Sequence, residues 1–102
     1  MAVKLLMTWD IRPGQEQEYF EFVVRELMPG LQRMGLEPSD AWYTMYGTSE
    51  HPQIMAGVLA PTANDLERIL QSDRWQTLID NLGVFVEHFD YKIVPARHGF
   101  QL

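Results

Sequence analysis

The sequence contains no cysteine, and this absence excludes several kinds of site at once. Disulfides, thiolate metal centres and cysteine nucleophiles all require a thiol. Basic residues are also scarce, with 8 lysines and arginines against 14 acids and a formal net charge of −6. Nucleic acids and anionic membranes are normally bound through basic surfaces, so we expect neither as a partner.

Long apolar runs and a leader segment are absent as well. No apolar stretch approaches the ~18 residues of a membrane-spanning helix, and the amino terminus enters a strand pattern without a basic region or cleavage site. We therefore expect a soluble, cytoplasmic protein. The seven glycines stand alone, so no glycine-rich phosphate loop is formed. The serines lack the surroundings of a nucleophile elbow.

The three histidines, His51, His88 and His98, do not form a metal-binding motif. None stands at the spacing that brings two ligands together on one helix or strand. We therefore predict no metal and no cofactor.

What the sequence does contain is enough apolar surface for one small domain covering residues 1–102. Hydrophobic residues make up 46% of the chain and aromatic residues 12%. A chain of this length buries only roughly 60–65% of its unfolded surface, so part of this apolar surface is available for a partner. We expect a homo-oligomer.

The first third of the chain predicts a strand followed by a long amphipathic helix. Residues 3–11 alternate, with apolar residues at the odd positions. After the turn at residues 12–14, apolar residues recur at three- and four-residue spacing; they are Phe20, Val23, Val24, Leu27, Leu31 and Met34. Residues 29–30 (Pro-Gly) predict a kink within this helix, and Gly35 predicts a left-handed cap at its end.

The remainder predicts a hairpin, a second helix and a final strand. Residues 38–40 (Pro-Ser-Asp) predict a turn, and residues 41–48 and 53–60 predict two strands that are apolar on both faces. Thr62 starts the second helix and Ser72 interrupts and recaps it. The helix ends at Gly83, and the last strand is stopped by Pro95.

This order of elements is similar to that of the dimeric α/β barrel superfamily, including its antibiotic-biosynthesis-monooxygenase and NIPSNAP-like branches. The resemblance covers nearly the whole chain. It is carried by the turn at residues 12–14 into Glu18-Tyr19-Phe20, the hairpin from Trp42 to Ala60, the interrupted helix at residues 72–75 and the strand at residues 91–94.

The resemblance implies an α+β, ferredoxin-like βαββαβ fold. Its four-stranded antiparallel sheet would have the order 4-1-3-2, with helices on one face. The other sheet face would pack against a second subunit to close a dimeric α/β barrel. Members of the superfamily include monooxygenases, haem-degrading enzymes, isomerases and uncharacterised proteins, so the fold leaves function open. Haem-degrading members use an asparagine, tryptophan and histidine set that has no counterpart here.

A few residues are candidates for a site. His88 opens the last strand beside the first and could act as a proton-transfer group, or could be an edge or interface histidine. Trp9, Tyr43 and Tyr46 could form the walls of a pocket for an aromatic ligand, or could pack in the core and dimer interface. Asp10 and Arg12 could be a buried pair or exposed turn charges.

Two functions are consistent with these features. The first is a homodimeric barrel protein that binds a small apolar or aromatic molecule between sheet and helices, or that stabilises an assembly. The second is a cofactor-independent monooxygenase or isomerase acting on a small aromatic or polyketide-like substrate, with Trp9 and Tyr43 as walls and His88 as the proton-transfer group. The second requires these three side chains to converge on one cavity.

Overall fold

The computed structural model describes residues 1–43 and 53–96, with residues 40–43 described as backbone alone. Within these residues the elements follow the order βαββαβ, with both helical segments divided. They are β1 (Val3–Ile11), α1 (Glu16–Phe22), a π-helical turn (Val23–Leu27), α2 (Met28–Arg33), β2 (Glu37–Tyr43), β3 (Ile54–Ala60), α3 (Ala63–Leu70), α4 (Asp73–Leu82) and β4 (Val86–Pro95).

The four strands form one sheet in the order β2-β3-β1-β4. Every neighbouring pair is antiparallel. Counted from the other edge this is the order 4-1-3-2, so the prediction of a ferredoxin-like α+β fold is confirmed. The first and last described strands lie side by side, because β1 pairs with β4 along nearly its whole length.

The alternation of β1 assigns its two faces to different surroundings. Leu5, Met7 and Trp9 are buried in the core cluster together with helical side chains such as Leu31 and Leu66. Side chains of a strand alternate between faces, so Leu6 and Thr8 lie on the opposite, helix-free face, where both are half-buried. We call this helix-free surface the open sheet face.

The helix ends follow the signals in the sequence. Gly35 has φ +91°, and the N–H of Leu36 bonds to the carbonyl of Leu31, which is the Schellman arrangement. The hydroxyls of Thr62 and Ser72 accept bonds from backbone N–H groups in the first turns of α3 and α4. Within the described part of the chain no helix is both long and apolar enough to cross a membrane.

The interruption predicted at Pro29 takes the form of the π-helical turn just before it. Proline has no N–H to donate to the preceding helical turn. The residue before it, Met28, donates its N–H to the carbonyl of Val23, five residues back rather than the usual four. The predicted apolar stripe is therefore partly wrong. Phe20 is 51% exposed and Val24 71%, whereas Tyr19 and Phe22 are buried, because the wide turn changes the phase between the two halves of the helix.

The prediction of a turn at residues 38–40 is also wrong. These residues belong to β2, where Pro38 pairs with Val58 and Asp40 pairs with Gly57. Ser39 is the extra residue between these two pairs and forms a bulge. A bulge accommodates turn-forming residues without ending the strand. The predicted strand at residues 41–48 therefore begins earlier, and its part beyond residue 43 lies outside the described residues.

Candidate functional site

A cavity of about 240 Å³ lies between the sheet and the helical segment at residues 19–31. Its walls come from β1, the divided first helix, β2 and β3. The residues that line it are Met7, Trp9, Tyr19, Val23, Leu27, Met28, Leu31, Pro38, Ser39, Ile54, Ala56, Gly57 and Val58. None of these residues carries a charge, and most are aliphatic. The cavity therefore suits an apolar molecule.

The side chains of Trp9 and Tyr19 form the polar corner of this cavity. The indole Nε1–H of Trp9 donates to the hydroxyl of Tyr19 over 3.0 Å in a buried hydrogen bond. The two rings meet edge to face with centroids 6.4 Å apart. On β4, Phe89 stacks on Trp9 with centroids 6.0 Å apart and an interplanar angle of 15°. Three elements thus hold the indole in one position.

The environment of Tyr19 keeps its phenol in the neutral form. Burial raises the pKa of Tyr19 above its ordinary value, and the hydrogen bond from Trp9 lowers this pKa by a smaller amount. Burial has this direction because it disfavours the charged phenolate. Tyr19 is therefore a neutral hydroxyl within the cavity wall at physiological pH.

The structure places the predicted wall residues unequally. Trp9 lines the cavity, as expected of a pocket wall. Tyr43 lies at the end of β2, where its backbone pairs with Ile54, and its side chain is not among those described. Tyr46 lies outside the described residues. The role of these two tyrosines stays a prediction.

His88 lies outside the cavity lining, in a bulge of β4. Between the pairs Thr8–Asp90 and Asp10–Glu87, β1 contributes one residue and β4 contributes two, His88 and Phe89. His88 has φ +60°, a left-handed conformation that is unusual for a residue with a side chain. Its side chain is 71% exposed. The role of His88 in proton transfer also stays a prediction.

The carboxylate of Asp10 connects this bulge to β3. Its Oδ2 lies 2.9 Å from Nδ1 of His88, and its Oδ1 accepts the backbone N–H of Gln53 over 2.7 Å. The side chain of Gln53 in turn accepts the N–H of Ile11. Asp10 therefore pairs with His88 and not with Arg12, whose guanidinium lies 3.8 Å from Glu87.

Another concavity lies on the open sheet face. It measures about 270 Å³ and is lined by Leu6, Thr8, Met55, Asp90, Tyr91 and Lys92.

Among the side chains that the structure describes, no group of three or more histidines, aspartates or glutamates is placed to hold a metal ion.

Tyr19 is the site residue that sequence reasoning did not select. It lies between Glu18 and Phe20 in a helix pattern whose α-helical phase favours Phe20 as the buried residue. The signal that could have identified it is a tyrosine next to the predicted apolar stripe. A tyrosine can bury its ring when its hydroxyl has a hydrogen-bond partner.

No protein-family model matches the chain, and no curated protein matches it. Solved structures share its fold. A NIPSNAP family protein from Agrobacterium tumefaciens is 21% identical with a TM-score of 0.68, over 92% of this chain and 91% of that one. An ethyl tert-butyl ether d family protein from Bacillus halodurans is 16% identical with a TM-score of 0.70, over 95% and 100%.

A third similar structure comes from Bacteroides fragilis and is described as a dimeric protein of unknown function with a ferredoxin-like fold. It is 11% identical with a TM-score of 0.64, over 93% of this chain and 96% of that one. At these identities the likeness is one of fold alone. It confirms the NIPSNAP-like, ferredoxin-like resemblance at that level.

Proposed function

We propose that this protein binds a small, neutral, apolar or aromatic molecule in the cavity between its helices and its sheet. The observation that supports this most strongly is a cavity of about 240 Å³ whose described lining residues are all uncharged and include the buried Tyr19. An engineered apolar cavity of roughly 150 Å³ is large enough to bind benzene. The cavity here therefore has room for a bicyclic aromatic molecule.

Naphthalene is a suitable probe, because it has the expected size and no polar group. An NMR titration should give saturable binding to the wild-type protein. Ala56→Leu places a larger side chain in the cavity wall and should weaken binding by roughly tenfold or more, about 1.4 kcal/mol. Ala63→Leu makes the same change at an exposed position of α3 and should leave binding unchanged. Equal binding to both variants would place naphthalene outside the cavity.

We also propose that the protein associates with itself through the open sheet face. Leu6, Met55 and Leu59 lie on this face and are only half-buried within one chain. Burying them against a second copy removes apolar surface from water. The structure from Bacteroides fragilis, which has a similar fold, is described as dimeric.

An enzymatic role is the second candidate function that we propose. It is favoured by the Asp10–His88 pair, because a carboxylate on Nδ1 orients an imidazole and leaves Nε2 available as a base. A cofactor-independent isomerase would use such a base to remove a proton next to a carbonyl. Trp9 lines the cavity and His88 does not, so the two do not converge there as this function was expected to require. The substrate would have to bind at the sheet end instead.

Deuterium exchange at C2 of 1-tetralone in D₂O tests this second proposal by a defined proton transfer. The wild-type protein should accelerate the exchange over buffer, and His88→Asn should abolish the acceleration. Exchange that is no faster with the wild type than in buffer contradicts this isomerase role. Such a result would leave the binding proposal intact, since naphthalene binding does not require His88.

A further inference from the structure

The proton of the Tyr19 hydroxyl has no acceptor among the residues that the structure describes. A phenolic hydroxyl carries one proton and can also accept, whereas an indole N–H can only donate. In the Trp9–Tyr19 bond the Tyr19 oxygen is therefore the acceptor, and its own proton is left for another partner. Across residues 1–43 and 53–96, the described side chains and backbone provide no acceptor for that proton.

This free donor belongs to a buried side chain in the cavity wall. Tyr19 is only 4% exposed, so bulk water does not readily satisfy its proton, and it is one of the residues that line the cavity. The oxygen of this hydroxyl accepts from Trp9, but a buried hydroxyl proton without an acceptor is unfavourable. A ligand that brings an acceptor into the cavity would remove this cost.

The position of the hydroxyl oxygen is fixed by its neighbours. Trp9 is held between Phe89, which stacks on it, and Tyr19, which meets it edge to face. With one lone pair of the Tyr19 oxygen directed at the indole N–H, rotation of the hydroxyl is restricted. Such preorganisation reduces the entropy lost when a ligand forms a hydrogen bond with this group.

The cavity also limits which acceptor fits. Among the described lining residues an ionised ligand would lose its hydration without gaining a charged partner, since these residues are uncharged. A ligand hydroxyl would bring a proton of its own that needs a second acceptor. A carbonyl oxygen accepts and brings no donor. Burial also raises the pKa of Tyr19 and so preserves its proton for this bond.

We propose that the ligand of the cavity is a neutral aromatic compound carrying a carbonyl group, and that the Tyr19 hydroxyl, held by Trp9, donates a hydrogen bond to the carbonyl oxygen. This rests on the proposed binding function and specifies its ligand class. Tyr19 is the residue that recognises the oxygen, and Trp9 positions it.

Two probes of nearly equal shape separate this recognition from binding itself. 1-Tetralone and tetralin differ by a carbonyl in place of a methylene group. Each is titrated by NMR into the wild-type protein and into Tyr19→Phe, which removes the hydroxyl and with it the acceptor of the Trp9 indole N–H. Tyr91→Phe removes the hydroxyl of a tyrosine outside the cavity lining and is the matched control.

Tyr19→Phe should weaken tetralone binding roughly five- to tenfold and should change tetralin binding by less than about twofold. Tyr91→Phe should change neither. If both probes bind and Tyr19→Phe affects them equally or not at all, the carbonyl inference is overturned and the binding function stands. If neither probe binds the wild type, both are overturned.

A second measurement uses the wild-type protein and does not depend on whether Tyr19→Phe folds. The infrared carbonyl stretch of bound 1-tetralone should lie at lower frequency than in cyclohexane, because a hydrogen bond weakens the C=O bond. A bound carbonyl with the cyclohexane frequency contradicts a hydrogen bond from Tyr19.

Discussion

The Nδ1 atom of His88 lies 2.9 Å from Oδ2 of Asp10, although the two residues are 78 positions apart in the sequence. The contact forms because β1 and β4 pair and because the bulge in β4 puts His88 opposite the end of β1. The same carboxylate accepts the N–H of Gln53, the residue just before β3. Asp10 on β1 therefore connects to β4 and to the residue before β3 at one end of the sheet.

At position 88, where φ is positive, a glycine variant should be more stable than an alanine variant. A side chain in the left-handed region costs roughly 1–2 kcal/mol, whereas in an ordinary strand glycine is less stable than alanine by roughly 0.5–1 kcal/mol. We expect His88→Gly to be more stable than His88→Ala by about 1 kcal/mol in urea unfolding. Both variants lose the contact with Asp10, so the comparison isolates the backbone.

The same pair of substitutions at Lys92 provides the control, because this exposed β4 residue has no positive φ. There we expect alanine to be the more stable variant. A more stable alanine variant at position 88 would contradict a left-handed conformation of that residue.

Removing the carboxylate of Asp10 should destabilise the end of the sheet. Asp10→Ala leaves the N–H of Gln53 without this acceptor, and we expect a loss of about 1–3 kcal/mol in the free energy of unfolding. Asp10→Asn keeps an acceptor oxygen and should lose less. Denaturant titration of both variants measures the difference. Equal losses would mean that the Gln53 bond does not contribute.

Tyr19 should make the protein less stable at high pH. Folding raises the pKa of Tyr19 above 10.0, so just above that pH the native state binds more protons than the unfolded chain. The free energy of unfolding then falls as pH rises from about 10 through the pKa of the folded state. Tyr19→Phe should lack this part of the decline. Parallel curves for both proteins in thermal unfolding from pH 8 upward would contradict it.

Leu6→Glu should disrupt self-association through the open sheet face. A carboxylate buried against a second copy would have lost its water without gaining a partner, and we expect the dimer dissociation constant to rise by roughly a hundredfold or more. Sedimentation equilibrium measures this, with circular dichroism as the check on folding. Val24→Glu is the matched control, because Val24 is exposed on the first helical segment.

The prediction fails if the wild-type chain is monomeric at micromolar concentration. It fails equally if Leu6→Glu and Val24→Glu dissociate to the same extent, since the open sheet face would then have no special part in assembly.

The features predicted correctly from sequence depend on local interactions. The alternation of β1 and the caps at Thr62, Ser72 and Gly35 involve residues close to one another along the chain. Capping side chains and left-handed glycines act within one or two turns. The sheet order was predicted from the resemblance and not from local pattern.

The features that could not be predicted depend on contacts between distant residues. The partner of Asp10 is set by the pairing of β4 with β1, and the positive φ of His88 by the bulge in that pairing. The turn residues Pro38 and Asp40 remain in a strand because β3 provides partners for them. Nothing within a few residues of these positions indicates the outcome, since tertiary context overrides local preference.

The π-helical turn determines which aromatic residue reaches the cavity. An α-helix turns by about 100° per residue, so a regular helix continued backwards from Leu27 would bring Phe20, seven residues earlier, towards the sheet. The wide turn takes up one extra residue, and Tyr19, eight residues earlier, is buried instead. If this turn were α-helical and the chain kept its length, a phenyl ring without a hydroxyl would lie beside Trp9. The helical register therefore determines which side chain forms this part of the cavity wall, and a shift of one position would replace Tyr19 with Phe20.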